Sequence, residues 1–260
     1  MAKATREMWE PTLRQKCLAE FLGTAFLVYV GAGTLTASGY LEHNKSVYTM
    51  ADLVAVSFAF GLAIAVMIYA IGHISGCHIN PAISLALACG RRISWRQAGF
   101  YILAQLLGSL LGGFLIALTF GRKAAHLLGY GPTDFNGVFV NPVSATLVEA
   151  IATFFLLFIV MGVVMDRRAP VGWAGFVIGM TITASILLLG SVTGGCLNPA
   201  RTFGPVVVQL LFGGSYPIAH LLVYFIGPIV GAIVGVFAYE YLALRHPAAD
   251  AVPRGFETGD

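Results

Sequence analysis

The sequence predicts an all-α membrane protein in which six transmembrane helices and two re-entrant half-helices form an inverted 3+3 repeat. Three observations carry that expectation. The 260 residues are 58% hydrophobic and 10% charged, with a mean hydropathy of +0.83, whereas soluble domains carry roughly 25% charged residues. Apolar segments of about 20 residues, long enough to cross a hydrocarbon layer about 30 Å thick, recur along the chain. Finally, residues 72–82 (GHISGCHINPA) and 190–200 (GSVTGGCLNPA) are one motif written twice, 118 positions apart (190 − 72).

From the N-terminus, residues 1–16 are a charged arm, and 17–245 make one membrane domain with repeats over 17–120 and 144–242. The first span, 17–38, carries Glu20 near its start, and the fourth, 144–165, carries Glu149 at the matching place. Acids inside a membrane are costly and face the protein interior with a partner. Spans two and five, 52–72 and 171–190, each run into one copy of the motif. There Asn80 and Asn198 read as N-caps and Pro81 and Pro199 as first-turn prolines, so short helices are expected over 81–89 and 199–212.

Spans three and six, 97–120 and 216–242, share small residues spaced for close helix contact, in LLGSLLGGF and FIGPIVGAIVG. Three spans per repeat is an odd number, so the second repeat enters the membrane from the opposite side. The polar connectors 39–51 and 121–143 carry little further information, and Asn44-Lys45-Ser46 is a formal glycosylation triplet. Residues 246–260 have no apolar period and are expected to be disordered.

Charge is sorted by loop. With the N-terminus in the cytoplasm, Lys45, Arg122, Lys123 and Arg201 are the outward members of the 15 Lys and Arg, and the rest lie inside. That positive-inside pattern places both termini in the cytoplasm of a cell that carries the chain in its plasma membrane. No cleavable signal peptide is expected, because the opening residues are polar and the apolar segment after them is too long for an h-region. Cys17, Cys77, Cys89 and Cys196 lack metal-ligand spacing and suggest no disulfide framework. No metal, cofactor or nucleic-acid partner is expected.

Nine residues of helix reach about 13 Å, less than half a bilayer. Neither short helix spans alone, so the two are expected to dip in from opposite sides and meet near the midplane. Irregular backbone at that depth survives only inside protein or along a water-filled path. The stretches 73–79 and 191–197 should therefore turn carbonyls toward a file of permeating molecules. Each helix end adds about half a positive charge there, which disfavours cations.

Two Asn-Pro-Ala boxes in register with six spans, a Glu in spans one and four, HISGCHINPA and LNPARTFGP together resemble the aquaporin, or major intrinsic protein, family over about residues 14–245. The resemblance implies a right-handed bundle, a passive water channel and a homotetramer with one pore per subunit, which the small-residue faces would fit. It implies pore boxes at Asn80, Pro81, Ala82, Asn198, Pro199 and Ala200. In such a pore Asn80 and Asn198 donate amide hydrogens to one molecule, whose own hydrogens then point along the axis and interrupt proton hopping.

Arg201 with Phe60, Ile186 and Gly195 would form the outer constriction, and His73, Gly76, Cys77, His78, Gly194 and Cys196 would line the pore or its mouths. Glu20 and Glu149 would accept backbone N–H groups of the re-entrant loops. Cys196 is a candidate for mercurial sensitivity. Ile186 stands where strict water channels carry His, and with Gly195 it implies a wider, more apolar constriction, as in archaeal-type aquaporins. The Ile/Gly/Arg trio is also similar to that of plant tonoplast pores that pass ammonia.

Thr202 and the pair Tyr224-Phe225 depart from the glycerol-facilitator branch. The expectation is therefore water first, with slower passage of glycerol, ammonia or carbon dioxide, in contact with membrane lipid. A glycerol-first facilitator is the alternative. An ion-coupled transporter would need acids at the centre, and an enzyme would need a nucleophile, acid–base or metal set that the spans do not offer.

Overall fold

The computed structural model describes residues 10–41 and 49–244; most of the N-terminal arm, the glycosylation triplet and the tail lie outside the described residues. Eight helices organise it: α1 (Leu13–Leu41), α2 (Met50–Ser75), α3 (Pro81–Cys89), α4 (Trp95–Phe120), α5 (Pro142–Met165), α6 (Ala174–Leu189), α7 (Pro199–Leu211) and α8 (Ile218–Ala243). A single helical turn, Ala124–Leu127, lies in the connector between α4 and α5.

Five of these helices are long and apolar enough to cross a membrane. The remaining span, α6, has 16 residues and reaches about 24 Å. It starts later than the expected position 171 because Gly172 turns the chain at φ +91°. At its far end Gly190 N–H still donates to Ile186 O (2.7 Å) and Thr193 N–H to Leu189 O (2.8 Å), prolonging it by a turn.

The second span runs beyond the expected end at 72. Thr49 and Asp52 cap each other's backbone at the start of α2, and Gly76, at φ +90°, closes it as a left-handed C-cap. No proline or left-handed residue interrupts 72–75, so the helix continues until Gly76, which tolerates the left-handed turn. The first irregular stretch is therefore 76–79, not 73–79, and His73 is an exposed residue of the last helical turn.

Packing follows the repeat. α1 lies along α4 and α5 along α8, while α2 and α6 meet across the two repeats. Each half-helix packs chiefly on the third span of the other repeat, α3 on α8 and α7 on α4. A Cβ on Gly108 would collide with the Phe21 carbonyl, and one on Gly231 with the Ala150 carbonyl. Gly108 and Gly231 are thus used inside the chain, where α4 meets α1 and α8 meets α5. Outward, α8 exposes Leu222, Ile226, Val230 and Val234 at every fourth position, a face suited to hydrocarbon.

One end of the bundle is tied by charge. Arg92 pairs with Glu240 at 2.9 Å, and Arg168 with Asp166, whose Oδ2 also accepts the Tyr239 hydroxyl at 2.8 Å. Hydrogen bonds from the Arg168 side chain and backbone, then from Tyr239, hold the Asp166 carboxyl well below the usual carboxylate range.

Candidate pore

The two half-helices meet through their caps. Asn80 Oδ1 accepts Ala82 N–H at 2.9 Å, and Asn198 Oδ1 accepts Ala200 N–H at 3.0 Å, so each side chain satisfies an orphan donor of its own helix. Capping fixes where the amide nitrogens point. Asn80 Nδ2 donates to Leu197 O and Asn198 Nδ2 to Ile79 O, both at 2.9 Å. Each box therefore grips the residue just before the other box's Asn. A carboxamide has two N–H groups, so one on each Asn is engaged in this cross-link and the second has no partner among the described residues.

The backbone leading to each cap is strained. Cys77, Ile79 and Leu197 have φ of +50°, +43° and +52°, a region that side chains, β-branched ones above all, avoid. Two buried carboxylates hold it there. Glu20 accepts His78 N–H (2.9 Å), Ile79 N–H (2.6 Å), the Ser75 hydroxyl (2.6 Å) and Gln105 Nε2 (2.8 Å). Glu149 accepts Cys196 N–H (2.9 Å), Leu197 N–H (2.9 Å) and the Thr193 hydroxyl (2.5 Å). Because the peptide N–H groups point back at the acids, the adjacent carbonyls are free to face elsewhere.

Between these walls lies a cavity of about 280 Å³. Asn80 and Asn198 are both on its surface, as are Phe60, Ile186, Cys196 and Arg201 toward one end and Gly72, Gly76, Cys77 and His78 toward the other. Arg201 sits 4.6 Å over the Phe60 ring and donates to Gly131 O at 2.6 Å. The ring face attracts the guanidinium and the carbonyl fixes its direction. Phe60 reaches this place because α1 presents Gly31, where a Cβ would strike the ring.

Other candidate positions lie behind the wall. Gly195 backs Ile186, where a Cβ would come within 3.1 Å of Ile186 Cα, and Gly194 lies under Thr133. Pro81, Ala82, Pro199 and Ala200 are buried in the first turns of the half-helices. Cys196, which is on the wall itself, has its Sγ 3.0 Å from Asn198 O and 3.1 Å from Thr202 Oγ1. His73 is exposed and is not on the cavity wall.

Several bracing roles are absent from the sequence reading, in which Thr202 and Tyr224 enter on other grounds. Tyr101 OH donates to Ser75 O and Tyr224 OH to Thr193 O, each at 2.8 Å, bracing the two loops identically. Ser75 and Thr193 are 118 apart, as are Ser84 and Thr202 (193 − 75 and 202 − 84). Extending the repeat from identical residues to hydroxyl residues would have found them. Gly131 and Thr133, which reach Arg201 and Thr202, come from the connector read as uninformative. A backbone carbonyl leaves no signature in a sequence.

Comparison with known proteins agrees with this architecture. The major intrinsic protein family matches residues 7–239. Aquaporin AqpM of Methanothermobacter marburgensis is 42% identical over 243 residues, covering 89% of this chain and 98% of its own. Aquaporin NIP1-1 of Zea mays is 40% identical over 228 residues, covering 88% and 74%. The crystal structure of the aquaglyceroporin from Plasmodium falciparum shares the fold, with a TM-score of 0.77 at 24% identity over 89% of this chain and 97% of that one. The chain belongs to the major intrinsic protein family of membrane channels.

Proposed function

We propose that this channel passes water first, and glycerol, ammonia and carbon dioxide more slowly, while excluding protons and ions. The observation that carries the ranking is that Arg201 lies over the Phe60 ring on a cavity wall that also includes the apolar Ile186. Water entering there exchanges its shell for donors from Arg201 and the Asn amides. A cation meets a guanidinium and two half-helix N-termini, both of which disfavour it once it has shed water, while the nearby Glu20 and Glu149 have their oxygens turned to peptide N–H groups. In this reading Phe60, Ile186 and Arg201 set the constriction, with Gly195 making room behind Ile186, and Asn80 and Asn198 orient the molecule at the centre.

The orientation proposed puts the Arg92 and Arg168 end in the cytoplasm of the plasma membrane, with both termini there, and four copies assembling around separate pores. An ion-coupled mechanism is disfavoured because Glu20 and Glu149 spend their oxygens on peptide N–H groups. Stopped-flow light scattering on proteoliposomes tests the ranking. Water permeability is expected to exceed glycerol permeability clearly, and equal fluxes would overturn it.

A further inference from the structure

We infer that His78 is a second side-chain donor of the conduit, locked as the Nε2–H tautomer by a relay from Glu20 through Gln105 and Ser84. It would grip solutes with an acceptor oxygen in the half of the pore away from Arg201. The inference deepens the channel reading and rests on it for the flux it affects, but the tautomer itself stands on hydrogen-bond geometry alone.

The relay begins at a group that only accepts. The Glu20 carboxylate, already holding Ser75, His78 and Ile79, lies 2.8 Å from Gln105 Nε2, so the amide must present its NH2 side. The same nitrogen is 2.9 Å from Ser84 Oγ, and its two hydrogens are thereby assigned, one to each oxygen. Ser84, having accepted, still has its own hydrogen to place. The acceptor within reach is Nδ1 of His78, at 3.0 Å. Nδ1 therefore carries no proton, and the ring hydrogen sits on Nε2.

The ring is also held in direction. It meets Tyr101 edge to face at 5.1 Å and 74°. Its Nε2 side lies against Gly76, where a Cβ would come within 3.3 Å of Nε2 and Cδ2. Both Gly76 and His78 are on the cavity wall, and Nε2 has no hydrogen-bond partner among the described residues. The glycine that permits the left-handed turn also leaves this nitrogen uncovered.

The second repeat does this differently. Its counterparts, by the offset of 118, are Cys196 and Thr202 (78 + 118 and 84 + 118). There the thiol is spent on Asn198 O and Thr202, and Arg201 supplies the donor instead. Each half of the conduit then has one side-chain donor besides its Asn. Gln105 and Ser84 are positioning residues that act through the ring.

Ring-nitrogen NMR on the full chain, labelled with 15N-histidine in lipid vesicles and assigned by the signal lost in His78→Gln, reads the tautomer directly. The expected result is a bare Nδ1 and a protonated Nε2, with Ser84→Ala releasing the ring to a mixture. Gln105→Met reads the same shift should Ser84→Ala fail to fold. A protonated Nδ1 in the unmodified chain, or a tautomer unmoved by both variants, overturns the inference. In the same vesicles Ser84→Ala is expected to lower glycerol permeability about two- to tenfold, the range of one net hydrogen bond; unchanged glycerol flux overturns the gripping role. Absence of water flux in the unmodified chain would instead refute the channel reading and leave the tautomer result standing.

Discussion

Arg201 is held by the Gly131 carbonyl and the Phe60 ring, so its charge stays at one place in the conduit. In the proposed reading, replacing it with valine removes both a donor and the barrier to cations. Arg201→Val is expected to raise glycerol flux and admit small cations while water still passes, measured by stopped-flow and by ion-sensitive dyes on the same vesicles. Glu149 acts on backbone. Glu149→Gln retains one acceptor oxygen but turns an NH2 toward N–H donors at a strained loop, and is expected to cost about 1–3 kcal/mol, seen as a lower unfolding temperature in detergent. At this scale the sequence was informative wherever a residue type is rare in its surroundings. An acid in a span, an Asn-Pro pair and an Arg beside it all stand out against apolar residues. Ser75, Tyr101, Thr193 and Tyr224 do not, because hydroxyls are common in membrane helices and their partners are carbonyls.

Helix pairs depend on contacts that only small residues allow. On α8, Gly231 sits on the Ala150 carbonyl of α5, so Gly231→Leu must separate the two helices or displace α3, which packs on the same span. Lower yield of folded protein by size-exclusion chromatography is the expected outcome, with Ala232→Gly as a milder control. At the basic end, the depressed Asp166 carboxyl makes a pH-dependent contribution. Its folded pKa lies below the unfolded value of about 3.9, so its stabilisation is present above that pH and fades as pH falls through the folded value. The unfolding temperature of Asp166→Asn should lie below that of the unmodified chain at pH 7, and the gap should close on acidification below about pH 4. Element boundaries were legible where a cap or a Pro marks them, as at Asn80 and Asn198. They were missed where nothing interrupts the helix, as at His73, or where a glycine turns the chain, as at Gly172.

Across the whole molecule, the two repeats exchange their half-helices: each packs on the other repeat's third span, and each Asn donates to the other repeat's loop. The crossing that neither short helix could make alone is completed by this exchange, and the cavity runs beside the junction. The inverted repeat was readable from the spacing of two motifs, but the exchange was not, because spacing does not say which neighbour a segment packs against. The central claim is that this junction lines an open, uncoupled conduit. Stopped-flow water permeability, recorded on proteoliposomes with and without imposed sodium and proton gradients while a trapped pH dye reports proton entry, tests it most directly. The account predicts rapid water flux indifferent to either gradient and no protein-dependent dye response; flux that requires a gradient, or protons that follow the water, would contradict it.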